Sequence, residues 1–159
     1  MAEAVRTLIV NGIADQLRTI TEANGYTFTV NFVDTVMPNE TNLDALDIQP
    51  CIFIWGGVEE KSMTEWDGAV QNELDIHIVV SGKTCYAATA KGTEMLADIE
   101  QCLLSGTPWD FGGALVDLVP VNTTVAQSDV NEFQPGGYTQ YLARYSTFIG
   151  NPRSPYNRA

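Results

Sequence analysis

The sequence predicts an α+β domain, with a mostly antiparallel central sheet of four to five strands and two helices packed on one face. The predicted element order is helix, three strands, helix, two strands, which lacks the repeated strand–helix–strand units of a parallel sheet. Each helix carries only one apolar stripe, so both need a common surface to pack on. The chain has 159 residues, 45% of them hydrophobic, enough for one sizeable core.

The first predicted element is an amphipathic helix over residues 3–23. Its apolar face is formed by residues at three- and four-residue spacing: Val5, Leu8, Ile9, Gly12, Ile13, Leu17 and Ile20. The pair Asn24-Gly25 supplies a left-handed stop. Residues 26–33 are rich in β-branched and aromatic side chains and predict a strand. Residues 34–49, which are polar and acidic, predict a long exposed loop.

A long hairpin is predicted from two apolar runs in the middle of the chain. Residues 51–55 and 73–80 are its strands, and the second alternates apolar residues with Asp75 and His77. Residues 58–71 between them are acidic and predict the hairpin tip.

The second helix is predicted at residues 84–104, followed by strands at 114–125 and 138–149. These elements complete a single domain of residues 1–150. Residues 151–159 contain two prolines and no apolar run. They predict an extended C-terminal tail, or a disordered one when the protomer is alone.

The charge of the chain is strongly negative and uneven. A net charge of -12 argues against a dedicated nucleic-acid binder, because phosphate contacts need clustered Lys and Arg. Residues 34–75 hold ten acids and one base, whereas the chain from Phe133 onward holds three arginines and no acid. This asymmetry has two interpretations: a solvated acidic surface with a frayed terminus, or complementary patches that meet between copies or on a partner.

The stretch HIVVSGKT resembles the end of a phosphate-binding loop, which would use Lys83 and Thr84. The first glycine of that motif is replaced by His77, and the following residues continue the strand alternation. We therefore interpret Gly82 and Lys83 as a turn and Thr84 as a helix N-cap. A small phosphate- or nucleotide-binding protein is kept as the enzyme-like alternative.

The sequence gives little support for a catalytic site or a metal site. His77 and Ser81 lie about 13 Å apart on one strand, too far for a nucleophile–base pair. Cys51, Cys85 and Cys102 are widely spaced, which indicates buried thiols and no zinc site. We predict no catalytic residue, cofactor or metal site. The absence of a signal-like or membrane-spanning apolar run leads us to expect folding in a cytoplasm.

The predicted functional residues are therefore interaction residues. In the hairpin tip they are Glu59, Glu60, Lys61, Met63 and Trp66, and in the tail Arg153, Tyr156 and Arg158. Large apolar side chains in a polar tip either fold back on their own domain or dock on a neighbour. The tail residues are of the types that dominate binding energies and could reach an acidic surface on another molecule.

Five segments together resemble those of one protein family. In chain order they are AVRTLIVNGIADQL, PCIFIW, ELDIHIVVSG, MLADIEQCLL and YLARYSTFIGNP, with a loop after the first. Their order, size and pattern are similar to those of the tail terminator family of tailed bacteriophages, also called tail completion or minor tail protein U-like proteins. The likeness covers nearly the whole chain and lies in element order, with no single diagnostic motif.

The resemblance implies a structural virion protein, made in the host cytoplasm, with no catalytic residues. Such proteins form a homo-hexameric ring at the head-proximal end of the tail tube, end its polymerisation, and join it to the head connector or stopper protein. Genome DNA passes through the lumen without sequence-specific binding, and no membrane is involved. An acidic lumen would repel the DNA, which is a hypothesis here. The alternatives in this class are another neck protein, such as a head-completion or stopper protein, and a tail tube subunit.

Overall fold

A computed structural model of the chain describes residues 3–36, 50–63, 68–81, 89–125 and 137–156. Its helices are α1 (Val5–Leu17), a short 3-10 helix (Glu22–Asn24) and α2 (Thr89–Leu104). Its strands are β1 (Phe32–Asp34), β2 (Cys51–Met63), β3 (Ala69–Ser81), β4 (Trp109–Phe111), β5 (Ala114–Val125), β6 (Gly137–Phe148) and β7 (Asn151–Pro155).

The seven described strands form one curled, mixed half-barrel sheet. Their order is β1-β2-β3-β6-β5-β4, and β7 pairs with β6 beyond the end of β5. Strand β1 runs parallel to β2, and all the other neighbours are antiparallel. The centre of the sheet is the pair β3 and β6, which stay in register from Ala69 opposite Phe148 to Val80 opposite Gly137.

The predicted sheet of four to five mostly antiparallel strands is wrong. The protein is mostly sheet, with about twice as many residues in strands as in helices. Residues 58–63 and 69–71, predicted as a hairpin tip, extend β2 and β3, and charged side chains on an edge strand are compatible with this. Residues 109–111 and 151–155 were not predicted as strands, and the second of these contains two prolines, which edge strands tolerate.

The first strand is shorter than predicted because backbone amides before it are engaged elsewhere. The Thr27 amide donates to the Asp98 carboxylate of α2 at 2.8 Å, and the Val30 amide donates to the Ile20 carbonyl at 3.0 Å. Residues 26–30 are therefore tied to α2 and to the segment that follows α1, whereas the Asn31 amide donates to the Pro50 carbonyl at 2.8 Å and strand pairing with β2 begins at Phe32.

Both helices contribute to one hydrophobic core on what we call the inner face of the sheet; the opposite face is the outer face. From the helices this core includes Val5, Ile9, Ile13, Ala14, Leu17, Met95, Leu96, Ile99, Cys102 and Leu103. From the sheet it includes Ile52, Ile54, Leu74, Ile76, Ile78, Val80, Val116, Leu118, Tyr141, Ala143 and Tyr145. The predicted alternation of β3 is confirmed, since its four apolar positions from Leu74 to Val80 are all fully buried.

Burial changes along β2. Its first four residues are buried, whereas Val58 and residues 60–63 are exposed. The change follows a β-bulge between Gly56 and Glu59, which shifts the register against β3. The second half of the β2–β3 hairpin therefore presents surface that the helices do not cover.

Helix α1 packs closely against β4 at Gly12. A Cβ atom at this position would lie 2.7 Å from Cε1 of Phe111 and closer still to Cδ1. Since the Phe111 ring is buried, it has little room to move aside.

We therefore expect Gly12→Ala to lower the free energy of unfolding by about 1–3 kcal/mol, despite the better helix propensity of alanine. Asn11→Ala, at an exposed position of the same helix, is the matched control and should be neutral or slightly stabilising. Urea unfolding of both variants checks this. Equal stability of the two variants would contradict the close packing of α1 on β4.

Candidate assembly surface

The candidate site is the part of the sheet that extends past the core, and we call it the hairpin end. It comprises residues 58–63 of β2, Gly68 with residues 69–73 of β3, residues 144–148 of β6 with Ile149, and β7 with Tyr156. In this region the strand order is β2, β3, β6, β7. Among the described strands, none pairs with the outer edge of β2 beyond Phe53, and none pairs with the outer edge of β7.

Large apolar side chains are exposed at the hairpin end. Met63 is 66% exposed, Val58 65%, Ile149 47% and Phe148 45%. Met63 shares the inner face with its successive pairing partners Val70 and Thr147, whereas Phe148, the next residue of β6, lies on the outer face of the same end. Four such side chains at one end of a small protein are typical of a surface that becomes buried on association.

A charged cluster ties the hairpin end to α1. The Glu59 carboxylate has a side chain only 9% exposed and contacts Lys61, while Nη1 of Arg6 lies 3.6 Å from its Oε2. The Arg6 guanidinium also donates from Nη2 to the Gly57 carbonyl at 2.9 Å. Burying the Glu59 charge is compensated by these two cations, which is the condition under which buried carboxylates are tolerated.

Polar contacts continue the cluster across the inner face. The Lys61 ammonium donates to Oδ1 of Asn72 at 2.7 Å, and Nδ2 of Asn72 donates to Oγ1 of Thr147 at 3.2 Å. These bonds join β2, β3 and β6 below the apolar core. They hold the hairpin end as a continuation of the sheet instead of a loose loop.

Tyr145 lies against this cluster from β6. Burial raises the pKa of its phenol far above the usual value, and the Glu59 charge raises it further, although Arg6 opposes the effect. Burial also raises the pKa of Tyr141, which lies on the same face of β6 and deeper in the core, to about 12. Both phenols therefore keep their protons to a higher pH than an exposed tyrosine does.

The outer face of the hairpin end carries one row of charged side chains. Glu60 pairs with Glu73, which pairs with Arg144, which pairs with Asp117 on β5. All four residues are exposed, and none of them takes part in an ion pair within 4.0 Å in the described part of the chain.

The same row borders an open groove of about 460 Å³. Its lining comprises Gln71, Asn72, Glu73, Leu115, Asp117, Arg144, Tyr145, Ser146 and Tyr156. The groove is wide and polar, and its acids flank a single arginine. It offers a surface for charged side chains of a partner more than an enclosed site for a small molecule.

Towards the other end of the outer face, three aromatic rings stack across three strands. The His77 ring lies 5.4 Å from the Trp55 ring and 5.9 Å from the Tyr138 ring, centroid to centroid. Nδ1 of His77 and the Tyr138 hydroxyl are 2.5 Å apart, and that hydroxyl donates to Oε1 of Gln140 at 3.3 Å. Burial, followed by the Asp75 charge, raises the pKa of Tyr138.

This arrangement gives His77 a partner that the sequence did not indicate. Its imidazole also lies against Gly57, where a Cβ atom would be 2.9 Å from Cδ2 and closer still to Nε2. The side chain packs between strands as a structural group, and no serine or cysteine nucleophile is among its contacts in the described residues.

The predicted tip residues lie in two environments. Glu59 and Lys61 belong to the inner cluster, whereas Glu60 and Met63 are exposed on the edge strand. Trp66 falls outside the described residues.

The predicted tail residues are partly incorporated into the domain. Arg153 is exposed in the middle of β7. The amide of Tyr156 donates to the Ser146 carbonyl at 2.9 Å, and its ring contacts Phe148 edge to face at 4.9 Å. Arg158 falls outside the described residues.

Several contributors to this surface were missed from the sequence. Arg6 occupies a polar position of an amphipathic helix and gives no signal of its tertiary partner. Phe148 and Ile149 were read as the end of an apolar strand, and only the pairing shows that the strand end is uncovered. The alternation of β6 could have indicated one of them, since Phe148 falls out of phase with the buried positions.

Three further features considered in the sequence are the cysteines, the possible metal ligands and the stretch that resembles a phosphate-binding loop. Cys51 and Cys102 are buried free thiols, and burial raises the pKa of Cys102. No group of three or more His, Cys, Asp or Glu side chains there could hold a metal ion. Lys83 and Thr84, like Cys85, fall outside the described residues, but the preceding Ile78 and Val80 are fully buried in β3 and cannot form an open phosphate loop.

Comparison with known proteins gives no family assignment. No protein-family model matches the chain, and no curated protein is similar to it. Among the described helices, none combines the length and the apolar character that crossing a membrane requires.

The two buried phenols predict the alkaline stability of the domain. An ionisable group whose pKa is higher in the folded state keeps its proton longer there, so the free energy of unfolding falls as pH rises from the unfolded value towards the folded one. For Tyr141 this window extends from about 10 to about 12.

We expect Tyr141→Phe and Tyr145→Phe each to lose less stability than the parent chain between neutral pH and the alkaline end of that window. Urea unfolding at a series of pH values measures the difference, with each variant referred to its own value at neutral pH. Parallel pH profiles for the three proteins would contradict the burial of these hydroxyls.

Proposed function

We propose that the chain is a structural virion protein that forms a ring at the head-proximal end of a phage tail tube, where it ends tube polymerisation and joins the tail to the head connector. The observation that carries the proposal is the hairpin end, a four-stranded extension with exposed apolar side chains and open edges. The resemblance in element order supplies the specific role.

The shape of the hairpin end supports an assembly function. The Arg6–Glu59–Lys61 cluster anchors it to α1, so its exposed side chains are held in place before any partner binds. Preorganisation of this kind lowers the entropy cost of association. Protein–protein contacts typically combine an apolar centre with a polar rim, and the hairpin end offers exposed apolar side chains beside charged ones.

The charge of the chain supports a conduit more than a nucleic-acid binder. Three of the four residues in the outer-face row are acidic, and the whole chain carries a net charge of -12. Negative charge repels the DNA backbone and disfavours adhesion during passage. This agrees with a ring through which DNA moves without being bound.

The proposal is tested by imaging. Purified chain is added to tail tubes assembled without it, and the tube ends are examined by electron microscopy for a terminal ring. Rings on one end only, with an arrest of further tube growth, are the expected result. Incorporation along the tube would favour a tube subunit, and binding only to the head connector would favour a stopper; either overturns the terminator role.

The contribution of the hairpin end is tested with Met63→Asp. Placing a charge where an exposed apolar side chain becomes buried should reduce the fraction of capped tube ends by at least about tenfold, and leave the melting temperature within 2 °C or so of the parent. Val121→Asp, at a position 50% exposed on β5, is the matched control and should cap normally. Equal capping by the two variants would exclude the hairpin end from the contact.

A further inference from the structure

We propose that the hairpin end binds a second copy of this chain head to tail, with the β7 edge of one copy against the β2 edge of the next and Arg153 of the first facing Glu60 of the second. This inference rests on the proposed ring function and names the contact that would build the ring. It follows from the position, charge and backbone chemistry of the two edges.

The two edges lie on opposite sides of the same four-stranded extension. Strand β2 bounds it on one side and β7 on the other, with β3 and β6 between them. Association of two different edges is heterologous, because each copy uses one edge towards each neighbour. Repetition of such a contact closes into a ring when the rotation per copy is right.

The two edges carry opposite charge. The exposed part of β2 presents Glu60 at the edge, and the adjoining β3 adds Glu73 on the same face. On β7 the charged residue is Arg153, which is exposed. Neither Glu60 nor Arg153 belongs to an ion pair within the described part of the chain, so both are available to a neighbour.

Like edges are disfavoured by the same charges. Two β2 edges would bring Glu60 and Glu73 of both copies together, and two β7 edges would bring arginines together. Repulsion between like charges at an interface costs affinity and suppresses the wrong pairing. The charge pattern therefore selects the unlike pair.

The contact is made by side chains more than by a continued β-ladder. Pro152 and Pro155 have no amide hydrogen, and the amide of Arg153 already donates to Oδ1 of Asn151 at 3.2 Å. On the other side, the Gly57 carbonyl accepts from Arg6. The β7 edge therefore offers few backbone donors for strand addition, so charge pairs and the apolar side chains of Met63 and Phe148 provide the association.

Charge reversal tests the pairing directly. Self-association is measured by analytical ultracentrifugation in low-salt buffer for the parent chain, Glu60→Arg, Arg153→Glu and the double variant. Each single reversal replaces an attraction by a repulsion, so we expect a weakening of the association constant by about tenfold or more. In the double variant the two charges have exchanged places, so the attraction returns. We expect it to recover most of the association.

Glu100→Arg is the matched control, because it changes the net charge by the same amount as Glu60→Arg from an exposed position on α2. Its association should equal that of the parent. Circular dichroism of each variant confirms that the fold is kept. Single reversals without effect, or a double variant no better than the singles, would overturn the proposed pairing.

The outcome is distinguishable from failure of the proposed function. If rings form on tube ends but ignore these reversals, the function stands and the pairing is overturned. If the reversals control association of the free chain but no ring appears on tubes, the pairing stands and the terminator role is overturned. A parent chain that never self-associates, free or on tubes, overturns the pairing as well.

Discussion

The structure depends on the uninterrupted pairing of β3 with β6. These strands lie at the centre of the sheet and remain in register over their whole length. Because side chains alternate along each strand, this one register fixes which residues face the helices and which face outward. It places Leu74 and Ala143 in the core, and it aligns Glu73 with Arg144 on the outer face. A shift by one residue would exchange the two sets.

The same pairing extends beyond the helices and so creates the candidate site. Past the core, the inner face is filled by the ionic cluster of Arg6, Glu59 and Lys61 in place of apolar side chains. This exchange explains how one sheet supplies both a core and an interaction surface. Apolar burial stabilises one end, and the other is held by hydrogen bonds and charge pairs that leave its outer surface free for association.

Local pattern predicted the helices and the central strands well, because their apolar periodicity is strong. The buried face of α2 is confirmed from Met95 to Leu103, as is the alternation of β3. Pattern failed where pairing alone decides the structure. The proline-containing β7 and the charged half of β2 have no strand signature, and the late start of β1 depends on amides that donate to Asp98 and Ile20. Partners such as Arg6 with Glu59 are 53 residues apart and become visible only in the fold.

Hydrogen exchange on the chain, free and in its assembled state, tests most directly whether the hairpin end is the assembly surface. The account predicts that assembly slows amide exchange in residues 58–63 and 151–155, while the exposed face of α2 around Glu100 exchanges as in the free chain. New protection confined to the helices, with the hairpin end unchanged, would contradict it.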